Sequence, residues 1–137
     1  MEGILLVSHG DMAAGMLDTL AFFFQDQMRQ IDSLALAKHD DPDAFKEKLQ
    51  KKIKEIDSGD GVLVFADLYG GTPSNMVVSL LLADRDSDSL RLITGFNLPM
   101  LMEAMVMRDP GPIDCLQLME TGKSGIECVN EVLKKRK

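Results

Sequence analysis

Residues 4–15, ILLVSHGDMAAG, decide how the rest of the chain is interpreted. The segment begins with a continuous apolar run, which is typical of a β-strand buried on both faces of a sheet. At His9, one of two histidines in the chain, this strand ends, and a helix is predicted from about residue 11 to residue 24. A buried strand followed at once by a helix predicts an α/β fold with His9 at the carboxyl end of a strand.

Strand and helix patterns keep alternating to the end of the sequence. Further strands are predicted at residues 31–36, 62–66, 90–95 and 113–118. A helical pattern follows each of them, the last one over 122–135. Such alternation implies a mostly parallel open sheet with helices on both faces. We expect a single domain over residues 1–137, in which 113–118 forms an antiparallel edge strand.

Two polar residues follow the first and third strands. His9 closes the first strand, and Asp67 comes directly after the third. Ligands of open α/β sheets bind outside the carboxyl ends of the strands, and neighbouring strands lie ~4.8 Å apart. If the first and third strands are adjacent, His9 and Asp67 can therefore touch. A carboxylate bound to one ring nitrogen fixes the histidine tautomer and leaves the other nitrogen as a nucleophile or base.

Helix starts flank this pair of residues. Backbone N–H groups are available from Gly10 after the first strand and from Thr72, a predicted N-cap, after the third. Helix N-termini bind anions, phosphate above all. Gly71 and the glycine before it let the backbone approach a ligand closely, and Thr72 adds a hydroxyl. The set predicts a phosphoryl group that arrives on His9 and leaves again.

Composition and charge exclude several classes of function. The net charge of −7 argues against nucleic acid as the main ligand. The two cysteines fit neither a disulfide framework nor a metal-ligand set. No apolar run approaches the ~20 residues of a membrane span, and no signal peptide is recognisable. We therefore expect a cytoplasmic protein that reaches a membrane only through a partner.

Three segments resemble the IIA component of the mannose-family sugar phosphotransferase system (PTS). They are LLVSHGDMAAGML (5–17), VFADLYGGTPSN (64–75) and GFNLPMLMEAM (95–105). The resemblance implies that His9 accepts a phosphoryl group from the phosphocarrier protein HPr and passes it to a IIB component. Asp67 would hold the histidine, and Thr72 stands where the family usually has serine. No metal or organic cofactor is expected, because the donor is itself a phosphohistidine.

The same resemblance carries expectations about assembly and partner choice. It implies a homodimer in which the strand near 113–118 can be exchanged, and a link to the membrane only through IIC and IID components. No IIB domain is expected on this chain. Tyr69 and Ser74 stand where the family commonly has phenylalanine, and we expect both changes at the rim of the site, where they would affect partner choice.

Methionines and apolar residues crowd the segments around the predicted site. We predict that Met12, Phe96, Leu98 and Met100 form an adaptable apolar ring around His9 that contacts two unlike partners in turn. The alternative is that these methionines fill the core, because methionine adapts to irregular gaps.

Three other functions stay open at the level of sequence. The closest is the phosphocarrier subunit of a dihydroxyacetone kinase, whose IIA-like domain tends to have SHS where this chain has SHG. The second is a non-catalytic regulatory binding module. The third is a hydrolase with His9 as a base, although the chain has no G-x-S-x-G nucleophile elbow.

Overall fold

A computed structural model describes residues 1–136 and places four parallel strands in one sheet. The strands are β1 (Gly3–His9), β2 (Ile31–Leu36), β3 (Val62–Ala66) and β4 (Leu90–Thr94). Their order in the sheet is β2-β1-β3-β4, and every neighbouring pair is parallel. The predicted α/β fold with an open parallel sheet is confirmed, and β1 and β3 are indeed neighbours.

Six α-helices accompany the sheet. They are α1 (Met12–Phe24), α2 (Pro42–Ile56), α3 (Thr72–Ala83), α4 (Leu98–Met107), α5 (Cys115–Ser124) and α6 (Val129–Lys135). Within residues 1–136, none of the helices combines the length and apolar character needed to cross a membrane.

Alternate residues of β1 face two separate apolar clusters, one on each side of the sheet. Ile4 and Leu6 pack with side chains of α1, α4 and α5. Leu5 and Val7 pack with side chains of α2 and α3. Because successive strand side chains point to opposite faces, the unbroken apolar run of β1 serves both clusters. This burial holds the end of β1, and with it His9, at a fixed position on the sheet.

The predicted antiparallel edge strand at 113–118 is wrong. The Asp114 carboxylate accepts hydrogen bonds from the N–H groups of Leu116 and Gln117 and thereby caps helix α5. Leu118 and Gly122 follow at helical spacing and are both buried. This cap and the four-residue period favour a helix over a strand. The region predicted as one last helix over 122–135 therefore contains the end of α5 and a separate α6, and no strand near 113–118 is available for exchange.

Candidate functional site

His9 and Asp67 meet at the carboxyl edge of the sheet. The strands β1 and β3 are adjacent and parallel, and Val7 of β1 is paired with Ala66 of β3, directly before Asp67. His9 Nδ1 lies 2.8 Å from Asp67 Oδ2, and the backbone N–H of His9 donates to the same oxygen at 3.0 Å. The carboxylate oxygen is an acceptor, so Nδ1 carries the proton and Nε2 keeps its lone pair. The histidine side chain is 48% exposed and that of Asp67 only 12%. The histidine ring is therefore accessible while the carboxylate that it contacts is shielded.

The second oxygen of Asp67 has no hydrogen-bond partner. Oδ1 is buried, and no donor within residues 1–136 reaches it. Both hydrogen bonds that the carboxylate makes thus go to His9 through Oδ2. The ring of His9 is thus the only side chain hydrogen-bonded to the Asp67 carboxylate within residues 1–136, which would suit a ring that becomes more positive when Nε2 forms a bond.

Gly71 packs directly against the edge of the His9 ring. A Cβ atom at this position would lie 2.7 Å from His9 Cε1 and 3.4 Å from Nε2. Contacts under 3.0 Å are sterically forbidden for a carbon atom, so only glycine fits while the ring keeps its bond to Asp67. The backbone at residue 71 therefore forms one wall of the space beside Nε2.

The start of α3 follows this wall. Its N-cap is Gly71, with no side-chain cap, and Thr72 is the first helical residue instead of the predicted cap. The first N–H groups of a helix have no intrahelical acceptor, and those of Thr72 and Ser74 gain no other backbone acceptor within residues 1–136. An anion beside His9 Nε2 would find donors at this end of the helix.

The backbone N–H before α1, which was expected to bind a phosphoryl group, already has an acceptor within the chain. The N–H of Gly10 donates to the Leu36 carbonyl at 2.8 Å, so it is not available to a phosphoryl group. The buried Ser8 hydroxyl accepts the N–H of Ala13 at 2.9 Å and donates to the Gly10 carbonyl at 3.0 Å. Gly10 itself has a φ of 58°, a conformation that glycine adopts without strain. Its role is to turn the chain behind His9.

A cavity of about 360 Å³ opens beside His9. It is lined by His9, Gly10, Leu36, Ala37 and Lys38. Lys38 was not among the predicted site residues, although it follows β2, whose carboxyl end lies at the same edge of the sheet. Lys38 gives this cavity a positively charged side chain, which would suit an anionic ligand. Among residues 1–136, no cluster of three His, Cys, Asp or Glu side chains could hold a metal ion.

A family model described as "PTS system fructose IIA component" matches residues 3–115. The chain belongs to this IIA family. The "PTS system mannose-specific EIIAB component" of Escherichia coli is 27% identical over 129 residues, and this chain spans 39% of that protein's length. The "PTS system fructose-specific EIIA component" of Bacillus subtilis is 27% identical over 109 residues, which are 80% of this chain and 72% of that protein.

Solved structures of IIA proteins share the fold. A PTS IIA protein associated with the fucose utilization operon of Streptococcus pneumoniae superposes with a TM-score of 0.85 at 29% identity, over 96% of each chain. The mannose/sorbose-specific IIA subunit of Enterococcus faecalis gives a TM-score of 0.76 at 27% identity, over 93% of each chain. The resemblance stated from the three sequence motifs is confirmed.

Around the IIA site, only part of the expected apolar ring is exposed. Phe96 and Met100 are 5% and 6% exposed and pack in the core. Met12 is 44% exposed, and Leu98 is partly buried against the core. Phe96 and Met100 therefore fill the core, as the alternative interpretation predicted. Phe96 lies between β4 and α4, Met100 lies in the first turn of α4, and both side chains point into the core.

The two residues expected at the rim, Tyr69 and Ser74, have different environments. Tyr69 is 83% exposed, in the loop that follows β3. Ser74 is 1% exposed, so the expectation of a rim position is corrected for this residue. Its hydroxyl is bonded within the loop that precedes α3.

Proposed function

We propose that this IIA protein is a phosphoryl carrier of a phosphoenolpyruvate-dependent sugar PTS in the cytoplasm. His9 Nε2 attacks the phosphorus of phospho-HPr, a P–N bond forms, and the bond to the HPr histidine breaks. In the second step a IIB nucleophile attacks the same phosphorus, and Nε2 recovers its lone pair. The observation that carries this proposal is the 2.8 Å contact between His9 Nδ1 and Asp67 Oδ2.

Each neighbouring residue has a role in the proposed transfer. Asp67 holds the tautomer and stabilises the ring as it gains positive character. The N–H groups of Thr72 and Ser74, with the Thr72 hydroxyl, bind the phosphoryl oxygens. Gly71 leaves the room that the phosphorylated ring needs. No metal or organic cofactor takes part, because the phosphoryl group moves between two activated protein side chains.

The partners are expected to dock over the exposed ring edge. Met12, Leu98 and Tyr69 supply adaptable apolar contacts there, which suits a surface that meets HPr and IIB in turn. Sugar and membrane are reached only through IIB, IIC and IID components, and nucleic acid is not a partner. The net charge of −7 agrees with protein rather than nucleic-acid recognition.

We also propose that the protein is a homodimer. Apolar side chains of α5, α6 and the segment between them are exposed, with Leu116 at 75%, Ile126 at 74% and Leu133 at 61%. A second copy would cover them, and no exchanged strand is needed for this.

The test is labelling of the purified protein from radioactive phosphoenolpyruvate with enzyme I and HPr. Wild type and the matched control His39→Ala should incorporate one acid-labile phosphate per chain, whereas His9→Ala should incorporate none. Asp67→Asn should slow labelling by about 10² or more, because it no longer holds the productive tautomer. Labelling of His9→Ala would overturn the site assignment.

A chase of the labelled protein identifies the acceptor. Transfer to a IIB component supports the transporter role. Transfer to a dihydroxyacetone kinase subunit, with none to IIB, would replace it by the alternative phosphocarrier function. Absence of label on wild type would favour a regulatory binding module.

A further inference from the structure

Ser74 is buried, and its hydroxyl makes two hydrogen bonds to the loop before α3. Oγ accepts the N–H of Gly70 at 3.1 Å and donates to the carbonyl of Gly71 at 3.2 Å. Buried polar side chains are rare within residues 1–136, and this one is 1% exposed. A buried hydroxyl that both accepts and donates a hydrogen bond holds its two backbone partners in place. Breaking these bonds would leave buried polar groups without partners, which costs free energy.

Asn75 holds the same loop from the solvent side. Its Nδ2 donates to the carbonyl of Gly70 at 3.2 Å. Both backbone polar groups of Gly70 are therefore bonded to side chains of the first turn of α3. Gly70 has a φ of 82°, and two consecutive glycines have more conformational freedom than any other pair. Without these bonds the loop would populate several conformations.

The held loop is the wall that touches the reactive ring. Gly71 lies against the His9 edge that carries Cε1 and Nε2, and the N–H of Thr72 follows one residue later. A shift of this loop changes the space beside Nε2 and the direction of the donors at the start of α3. Misplacement of reacting groups by about 1 Å can cost 10²-fold in rate.

We propose that Ser74 and Asn75 form a clamp that holds Gly70 and Gly71 against His9 and so positions the ring for phosphoryl transfer. The proposal rests on the proposed carrier function. The two residues are positioning residues, since they act through the glycine loop and not on the phosphoryl group with their side chains. One of the two clamp residues, Ser74, stands where the resemblance implies phenylalanine.

The experiment compares Ser74→Ala and Asn75→Ala with Ser79→Ala as matched control. Ser79 lies on the same helix, and its hydroxyl binds Lys46 instead of the loop. Full-length proteins are labelled from phosphoenolpyruvate with enzyme I and increasing HPr. Imidazole ¹⁵N chemical shifts of His9 are recorded in parallel, with His39 as internal reference.

Each clamp variant should lower kcat for labelling about tenfold, as loss of one or two hydrogen bonds would. Because Ser74 is buried and touches no partner, KM for phospho-HPr should stay unchanged in Ser74→Ala. The His9 ring shifts should move in both variants, while those of His39 stay fixed. Ser79→Ala should match wild type in every readout.

Wild-type kcat and wild-type His9 shifts in both clamp variants would overturn the proposal. A loss in Ser79→Ala as large as in Ser74→Ala would also overturn it, because the effect would then come from the helix as a whole. Asn75 is exposed, so its truncation keeps the test valid even if Ser74→Ala folds poorly. Failure of wild type to be labelled would refute the carrier function, and the ring shifts would still report on the clamp.

Discussion

At the scale of single residues, the space beside His9 Nε2 exists because residue 71 is a glycine and has no Cβ atom. Gly71→Ala would place a Cβ 2.7 Å from Cε1, so the ring has to leave its 2.8 Å contact with Asp67. The backbone tolerates alanine here, because φ at Gly71 is −78°. We expect phosphoryl labelling to fall by about 10²-fold while the melting temperature changes little. Stopped-flow or quench-flow labelling and calorimetry measure the two effects.

The comparison for that variant is Gly70→Ala. Nothing lies within 4 Å of a Cβ at Gly70, but its φ of 82° is unfavourable for alanine, so we expect a loss of stability of about 1–2 kcal/mol. Wild-type labelling by Gly71→Ala would show that the ring moves aside freely. In that case the wall would have no part in positioning His9.

The contact between His9 and Asp67 could be predicted from sequence because it depends on strand order. His9 and Asp67 each follow an apolar run, and adjacent parallel strands bring such positions together. The details that side-chain packing decides could not be predicted. Ser74 was expected at the rim together with Tyr69, and only the folded loop shows that its hydroxyl is buried.

At the scale of elements, α5 rests on α4 through a glycine contact. A Cβ at Gly122 would lie 2.7 Å from Met100 Cε and 3.4 Å from Asn97 Oδ1, and Asn97 Nδ2 donates to the Gly122 carbonyl. We expect Gly122→Ala to destabilise the protein by about 1–3 kcal/mol, because the core around Met100 is closely packed. Chemical denaturation measures the change in the free energy of unfolding.

Gly15→Ala is the matched control for this contact. Gly15 lies inside α1, is exposed, and has no atom within 4 Å of its would-be Cβ. Alanine is the better helix former, so this variant should gain about 0.5–1 kcal/mol. Equal and favourable effects of both substitutions would mean that α5 does not dock on α4 as described.

Helix α5, whose first residues were predicted as a strand, is the element that depends on docking against α4. IDCLQL, residues 113–118, has too few residues for a helical period to stand out, and its apolar content fits a strand as well. The decisive contacts are made later, at Leu118 and Gly122 against distant parts of the chain. The four strands and the first four helices, by contrast, could be recognised within their own sequence, from apolar runs and helical spacing.

At the scale of the whole molecule, helix α6 buries none of its residues against the rest of its own chain. It has seven residues, none of them buried, and Val129 and Leu133 are 62% and 61% exposed. Isolated helices shorter than ~12–15 residues are marginal in water. A second copy that covers this apolar face would stabilise the helix, which is why the proposed homodimer is expected to form through α5 and α6.

Light scattering coupled to size-exclusion chromatography tests this assembly. Wild type should have about twice the chain mass of 15.1 kDa, and the double variant Val129→Glu, Leu133→Glu should have the mass of one chain, because two charges cannot be buried unpaired in an apolar interface. Leu82→Glu is the control, since Leu82 is 56% exposed on α3, away from this face, and it should remain dimeric. The double variant should still accept phosphate on His9, because the site lies at the carboxyl edge of the sheet within one chain. A wild-type mass of one chain across all concentrations would show that α6 is stable without a second copy and that one IIA chain acts alone.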